Sequence, residues 1–245
     1  MALGERSVIP SMVKSNSGYG DGPAFWNERY REGQGISEWV GRWEDISEAF
    51  CRAMAGSSRD QARILHAGCG NSSVTEDMYA AGFHQITSID SSDVVIEQMI
   101  CRSKDRNLNG LRWLCMDATQ MEFSHWSFDA VLDKALADAL VCTDNAEFQV
   151  ARYLKEVIRV LRPEGVFFCI SLNPARAKQL EAAPWCFRLE ETLRLGKDVV
   201  CTCRKTQASV DFLERWPSIC RALSQGASYR DFELVDAEGA WGTAV

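Results

Sequence analysis

Four residues carry the chemistry this sequence can support: Gly68, Gly70, Asp90 and Asp117. The two glycines lie in "ILHAGCGNSSV" (64–74), an apolar run followed by a turn and a helix start. Glycine lets the backbone turn sharply after a strand. The helix start behind the turn presents free N–H groups. A pyrophosphate ligand calls for G-x-G-x-x-G, and here Ser73 takes the place of the third glycine. Asp90 follows Gly70 by twenty residues, the distance at which a carboxylate takes ribose hydroxyls in dinucleotide folds. Asp117 ends the next apolar run, where a carboxylate can accept from an exocyclic amine such as adenine N6. Turn, Asp90 and Asp117 in register imply adenosine and do not require phosphates. Ser73 and Glu76 read as a capping box. His66, two residues before the turn, reads as structural.

These residues need a parallel sheet to bring them to one edge. "PAFWNERYRE" (23–32) reads as a helix whose Trp26 and Tyr30 share a face. "DISEAFCRAM" (45–54) reads as a second helix. Apolar runs at 62–68, 84–90, 111–117, 127–133 and 166–172 read as strands. Helical patterns at 73–81, 93–104 and 145–161 separate them, and "RPEG" (162–165) makes a turn. Alternating strands and helices imply a parallel sheet covered on both faces. "WCFRLEETLRL" and "DVVCTCRKT" flank Gly196 and Lys197 with no helix between them, so the last two strands form an antiparallel hairpin. Residues 1–20 read as a loose tail, 21–207 as the domain and 208–245 as an extension. "DFLERWPSICRAL" in that extension reads as a docked helix.

The net charge of −7 argues against a nucleic-acid binder, which normally carries a basic surplus. Of ten cysteines none forms a C-x-x-C pair, and the three histidines show no ligand spacing. No metal site is therefore expected, and the cysteine usage fits a reducing compartment. No secretory h-region and no span-length apolar run is present. The expected location is the cytoplasm.

The motifs "ILHAGCGNS", "ITSIDSS", "CMDAT", "FDAVLDK" and "VLRPEGVF", in that order with a closing hairpin, resemble the class I S-adenosylmethionine-dependent methyltransferases. The resemblance covers about residues 20–207. It implies a seven-stranded Rossmann-like α/β sheet of order 3-2-1-4-5-7-6 with helices on both faces. "FWNERY", "EWVG", "GCGNS", "IDSSDVVIEQM" and "DKALADAL" are similar to the group that methylates lysine in elongation factor 1-alpha. That likeness implies S-adenosyl-L-methionine as cofactor, with S-adenosyl-L-homocysteine as product. It implies contacts from Trp26, Tyr30, Trp39, Gly68, Asp90, Ser91, Asp117, Ala118 and Lys134. The three aromatics close a lid over the methionine end, where a sulfonium favours aromatic faces.

A lysine acceptor must be neutral to attack, and a carboxylate would orient it. Asp138 is the first candidate and Asp133 the second, from their place after strand four. The chain departs from the relatives here, with Ala135 and Leu136 in place of Gly-Thr. A protein substrate is expected. The alternatives are a small-molecule methyltransferase and a cofactor-binding subunit acting through a partner. "NPAR" (173–176) follows the fifth strand, not the fourth, and has no aromatic to stack on a flipped base.

Overall fold

The computed structural model describes residues 18–33, 38–182 and 184–227. Most of the expected N-terminal tail, and residues 228–245 of the extension, lie outside the described residues. Two helices come first, α1 (Pro23–Arg31) and α2 (Trp43–Ala53). Three strands follow with their helices: β1 (Arg63–Ala67), α3 (Val74–Ala80), β2 (Gln85–Asp90), α4 (Asp93–Asp105) and β3 (Arg112–Cys115). Next come β4 (Phe128–Lys134), the short α5 (Leu136–Leu140), α6 (Ala146–Val160) and β5 (Leu161–Ser171). The chain continues through α7 (Arg176–Glu181), β6 (Arg188–Leu195), β7 (Asp198–Arg204) and α8 (Gln207–Ser224).

The strands form one sheet in the order β3-β2-β1-β4-β5-β7-β6. The first four neighbouring pairs are parallel, and β7 runs antiparallel to both β5 and β6. This is the expected order, hairpin included. Side chains alternate across the sheet, and the core splits accordingly. Val166, Phe168 and Ile170 of β5 pack with Phe50 of α2 and Met78 of α3. Phe167 and Cys169 pack on the other face with Tyr153 and Val157 of α6 and Phe212 of α8. Helices therefore cover both faces. The docked helix expected after the sheet is α8, which presents Phe212, Ile219 and Leu223 to the core.

Three local readings change. "RPEG" does not separate helix from strand; it lies inside β5 as a bulge. Phe128 pairs with Leu161, but Ala130 pairs with Val166, and Glu164 sits at φ 57°. Pro163 has no N–H to give a ladder, so the strand bulges there. β3 stops at Cys115, so Asp117 lies in the loop beyond the strand. Ser73 and Glu76 form no capping box: Ser73 sits in the helical region with no side-chain cap bond. Glu76 is drawn instead into a bidentate pair with Arg102 of α4, at 2.6 and 2.7 Å. A buried carboxylate gains more from a guanidinium than from one backbone N–H.

Candidate active site

The carboxyl ends of β1, β2 and β4 meet along one edge of the sheet. The loops there extend the ladders: the N–H of Cys69 donates to Ile89 O at 3.0 Å, that of Met116 to Asp90 O at 2.8 Å, and that of Ala135 to Ile170 O at 2.9 Å. Side chains just beyond the strand ends are thereby fixed around one cavity.

The glycine turn forms one wall. Gly68 and Gly70 adopt φ of 63° and 50°, where a side chain is strained. Both also stand in close approaches. A Cβ on Gly68 would lie 2.9 Å from the Leu136 side chain, and one on Gly70 would lie 2.8 Å from the Tyr30 hydroxyl. The N–H of Gly70 donates to Asp90 Oδ2 at 2.9 Å, and that of Ser92 donates to Asp90 Oδ1 at 3.0 Å. Burial pushes the Asp90 carboxyl above its usual range, against those hydrogen bonds. Asp117 takes the Thr119 N–H on Oδ1 at 2.7 Å, which leaves its other oxygen for a ligand. Ser91, Asp117 and Ala118 line the same cavity as Asp90.

An aromatic roof covers the turn. Trp26 lies against Tyr30 with ring centres 6.0 Å apart and against Tyr19 at 5.8 Å, both stacked. Trp39 meets Trp26 and Tyr19 edge-on at 5.8 and 5.1 Å. Arg29 covers Trp39 at 5.1 Å. The roof is anchored to α4: Ser92 Oγ donates to Asn27 Oδ1 at 2.6 Å, and Gln98 Nε2 donates to Tyr30 O at 3.0 Å. Tyr19 lines the cavity, although it lies in the stretch read as a tail. Gly20 backs directly onto the Cys142 carbonyl, where any side chain would collide.

The far end is built from α5 and the end of β5. Lys134 closes β4 and reaches the cavity wall, with Nζ 2.8 Å from Glu38 Oε2. Ala135 then takes a left-handed φ of 66°. Asp133 caps α5, accepting the Leu136 N–H at 2.8 Å on Oδ1. It is fully buried and does not line the cavity. Burial, reinforced by the charge of Asp138, pushes its carboxyl up to about 7. Asp138 does line the cavity, with Leu136, Leu140 and Leu172. Its Oδ1 accepts Ser171 Oγ at 2.8 Å and Arg176 Nη2 at 3.0 Å, and its Oδ2 accepts the Leu172 N–H at 2.9 Å.

Nine residues named for the cofactor, Trp26, Tyr30, Trp39, Gly68, Asp90, Ser91, Asp117, Ala118 and Lys134, thus face one cavity, and Asp138 joins them. Of the two acceptor candidates, only Asp133 is held away. His66 is fully buried. Its Nδ1 pairs with Thr75 Oγ1 at 2.8 Å, which meets Ser88 Oγ at 3.0 Å. Burial, helped by the Lys134 charge, lowers its pKa to about 3. It does not line the cavity. Sequence reasoning passed over Tyr19, Glu38 and Arg176. The signal for Glu38 was its place beside Trp39 in "EWVG".

Among the described residues, no group of three His, Cys, Asp or Glu side chains is placed to hold a metal ion. No helix there is long and apolar enough to cross a membrane.

A methyltransferase-domain family matches residues 65–169. The chain is 39% identical over 155 residues to the eEF1A lysine and N-terminal methyltransferase of Bos taurus, a match covering 62% of this chain and 21% of that protein. It is 34% identical over 183 residues to the EEF1A lysine methyltransferase 4 of Bos taurus, covering 71% of this chain and 68% of that one. The chain spans about a fifth of the length of the first curated relatives it matches. Among solved structures it resembles a 1,6-didemethyltoxoflavin-N1-methyltransferase of Burkholderia thailandensis, with TM-score 0.52, 19% identity and coverage of 65% and 76%. It also resembles the cyclase SpnF, with TM-score 0.55, 15% identity and coverage of 88% and 86%. At such identities the likeness speaks for the fold alone, and a cyclase among the neighbours underlines that fold does not dictate reaction.

Proposed function

The chain belongs to the methyltransferase family represented by bovine EEF1A lysine methyltransferase 4, and on that premise we propose that it moves a methyl group from S-adenosyl-L-methionine to the ε-amine of a protein lysine. One observation carries the reading: a single cavity joins the ribose and adenine acids, Asp90 and Asp117, to an acceptor-side carboxylate, Asp138.

The residues present fit that cofactor. Asp90 accepts the Gly70 N–H on one oxygen and the Ser92 N–H on the other, and keeps its remaining lone pairs for ribose hydroxyls. Asp117 keeps an oxygen for the adenine amine. Trp26, Tyr30 and Trp39 line the cavity, and an aromatic lining suits a cation. When bound, S-adenosyl-L-methionine supplies an electrophilic methyl group on a positive sulfur.

The protein's part is to position and to dry. Holding two reactants in line turns a bimolecular step into an effectively unimolecular one. Leu140, Leu172 and Trp39 line the cavity, and desolvation of an amine entering it lowers a lysine's pKa toward the neutral form. Asp138 accepts a hydrogen bond from the amine and aims its lone pair down the cavity. Ser171, Arg176 and the Leu172 N–H fix that carboxylate from behind. Asp133 acts at one remove, by setting α5.

The bovine relatives are named for eEF1A, so a lysine of that factor is the first substrate to test. Cytoplasmic placement belongs to the proposal and rests on ten free cysteines. Transfer of labelled methyl to proteins in a lysate, followed by peptide mapping, tests the whole reading. A labelled lysine is the expected result, and label confined to small molecules or absent from lysine overturns it. Calorimetry with S-adenosyl-L-homocysteine against NAD tests the cofactor separately, with preference for NAD the adverse outcome.

A further inference from the structure

Lys134 has three donors and one ion-pair partner among the described residues, Glu38. The pair is nearly dry, with the lysine side chain 3% exposed and the glutamate 14%. Glu38 is held from a second side. Its Oε1 accepts the N–H of Ser73 at 2.8 Å, and its Oε2 accepts Ser72 Oγ at 2.9 Å. Burial works against its charge, but the hydrogen bond and charge of Lys134, with the bonds from Ser73 and Ser72, hold its carboxyl below the usual range. Lys134 and Ser72 both line the cavity, and Glu38 does not. The carboxylate therefore stands behind the ammonium, on the side away from the ligand.

We infer that Glu38 is a positioning residue that acts through Lys134, holding its ammonium toward the carboxylate of the cofactor's amino-acid half. The inference rests on the proposed cofactor. A flexible lysine stem has many rotamers, and a buried ammonium needs a partner. Glu38 meets both demands and leaves two N–H donors for a ligand carboxylate. It also sits next to Trp39, whose ring joins the roof, so the same backbone segment fixes both charge and lid. A plain strap would steady the roof and turn for any ligand. A positioning residue acts only on ligands that carry the carboxylate.

The experiment is calorimetry on the full chain with two ligands. S-adenosyl-L-homocysteine carries the amino-acid half, whereas 5′-methylthioadenosine has the adenosine and the sulfur without it. Glu38→Gln is expected to weaken S-adenosyl-L-homocysteine by about tenfold or more and to leave 5′-methylthioadenosine unchanged. Lys134→Met is expected to show the same selectivity, and the double variant to be no weaker than Lys134→Met alone. Glu38→Asp, which keeps the charge, serves as the conservative variant and is expected to restore part of the loss. It also carries the test if Glu38→Gln does not fold. Equal loss for both ligands overturns the inference in favour of a strap, as does unchanged S-adenosyl-L-homocysteine binding in Glu38→Gln. In both cases the cofactor reading survives. Wild-type protein that binds neither adenosine ligand overturns the two together.

Discussion

Arg176 Nη2 stands 3.0 Å from Asp138 Oδ1, with the two side chains only 4% and 11% exposed. The same guanidinium reaches Ser171 Oγ at 3.2 Å and Gln179 Oε1 at 3.1 Å. One arginine thus ties α5, the end of β5 and α7 together behind the acceptor end. Removing one partner of a buried pair costs about 3–5 kcal/mol, so Arg176→Met is expected to lower the denaturant midpoint strongly. Asp138→Asn preserves the shape and is expected to lower turnover by about 100-fold or more while S-adenosyl-L-homocysteine binds as before. Undiminished turnover on the true substrate would remove Asp138 from its role.

Asp90 is the hinge of the cofactor end, because its two oxygens hold Gly70 and Ser92. Asp90→Ala loses those bonds and the ribose contacts together. Hydrogen bonds to charged groups are worth about 1.5–3 kcal/mol each, so S-adenosyl-L-homocysteine affinity is expected to fall at least about tenfold. Calorimetry reads this directly, and affinity kept at the wild-type value counts against the ribose assignment.

Two backbone positions at the site respond in opposite directions. Gly68→Ala adds a side chain at φ 63°, 2.9 Å from Leu136, which costs about 1–2 kcal/mol of backbone strain before any movement of α5. Ala135→Gly relieves a left-handed φ of 66°. It is expected to be stabilising by about 0.5–1 kcal/mol after the entropic cost of glycine. Urea unfolding measures both, and a destabilised Ala135→Gly would mean that its methyl group packs for more than it strains.

Two buried groups give pH effects of opposite sign. The folded pKa of His66, about 3, lies below the unfolded value, so the unfolded chain takes up a proton that the folded ring refuses. Its contribution to stability is lost as pH falls from about 6.5. Asp133, raised to about 7, stays protonated in the folded state where the unfolded chain has released its proton. Its contribution is therefore lost as pH rises from about 4 through 7. Because the two oppose each other over much of that range, each is read site by site. NMR is expected to show a His66 ring that does not titrate above pH 5, and an Asp133 carboxyl that titrates near neutrality. An imidazole shift moving near pH 6.5 would contradict the burial argument.

The fold was legible because its signals are local and repeated. Five apolar runs, helical spacing between them and a hairpin around Gly196 and Lys197 mark out the elements, and the family resemblance implies their order in the sheet. The ligand turn was legible through Asp90 and Asp117, at fixed distances along the chain. The short helices α5 and α7 were not, since five and six residues carry too little periodicity to be seen. Arg176 ends "NPAR", and no local signal ties it to Asp138, 38 positions away. The capping box failed because Arg102, 26 positions from Glu76, outcompetes a backbone N–H three residues away.

The sequence by itself determined the alternating strands and helices, the glycine turn, the acids that follow two of the apolar runs and the aromatics that share a helix face. Each of these follows from spacing along one stretch of chain. Only the tertiary structure decided which carboxylate faces the cavity. Asp133 and Asp138 are five residues apart, yet the left-handed turn at Ala135 buries the first as a helix cap and delivers the second to the cavity wall. The same holds for Glu38 behind Lys134 and Arg176 behind Asp138. Ion pairs in a dry interior depend on distances and dielectric that chain folding creates, and no local spacing encodes them.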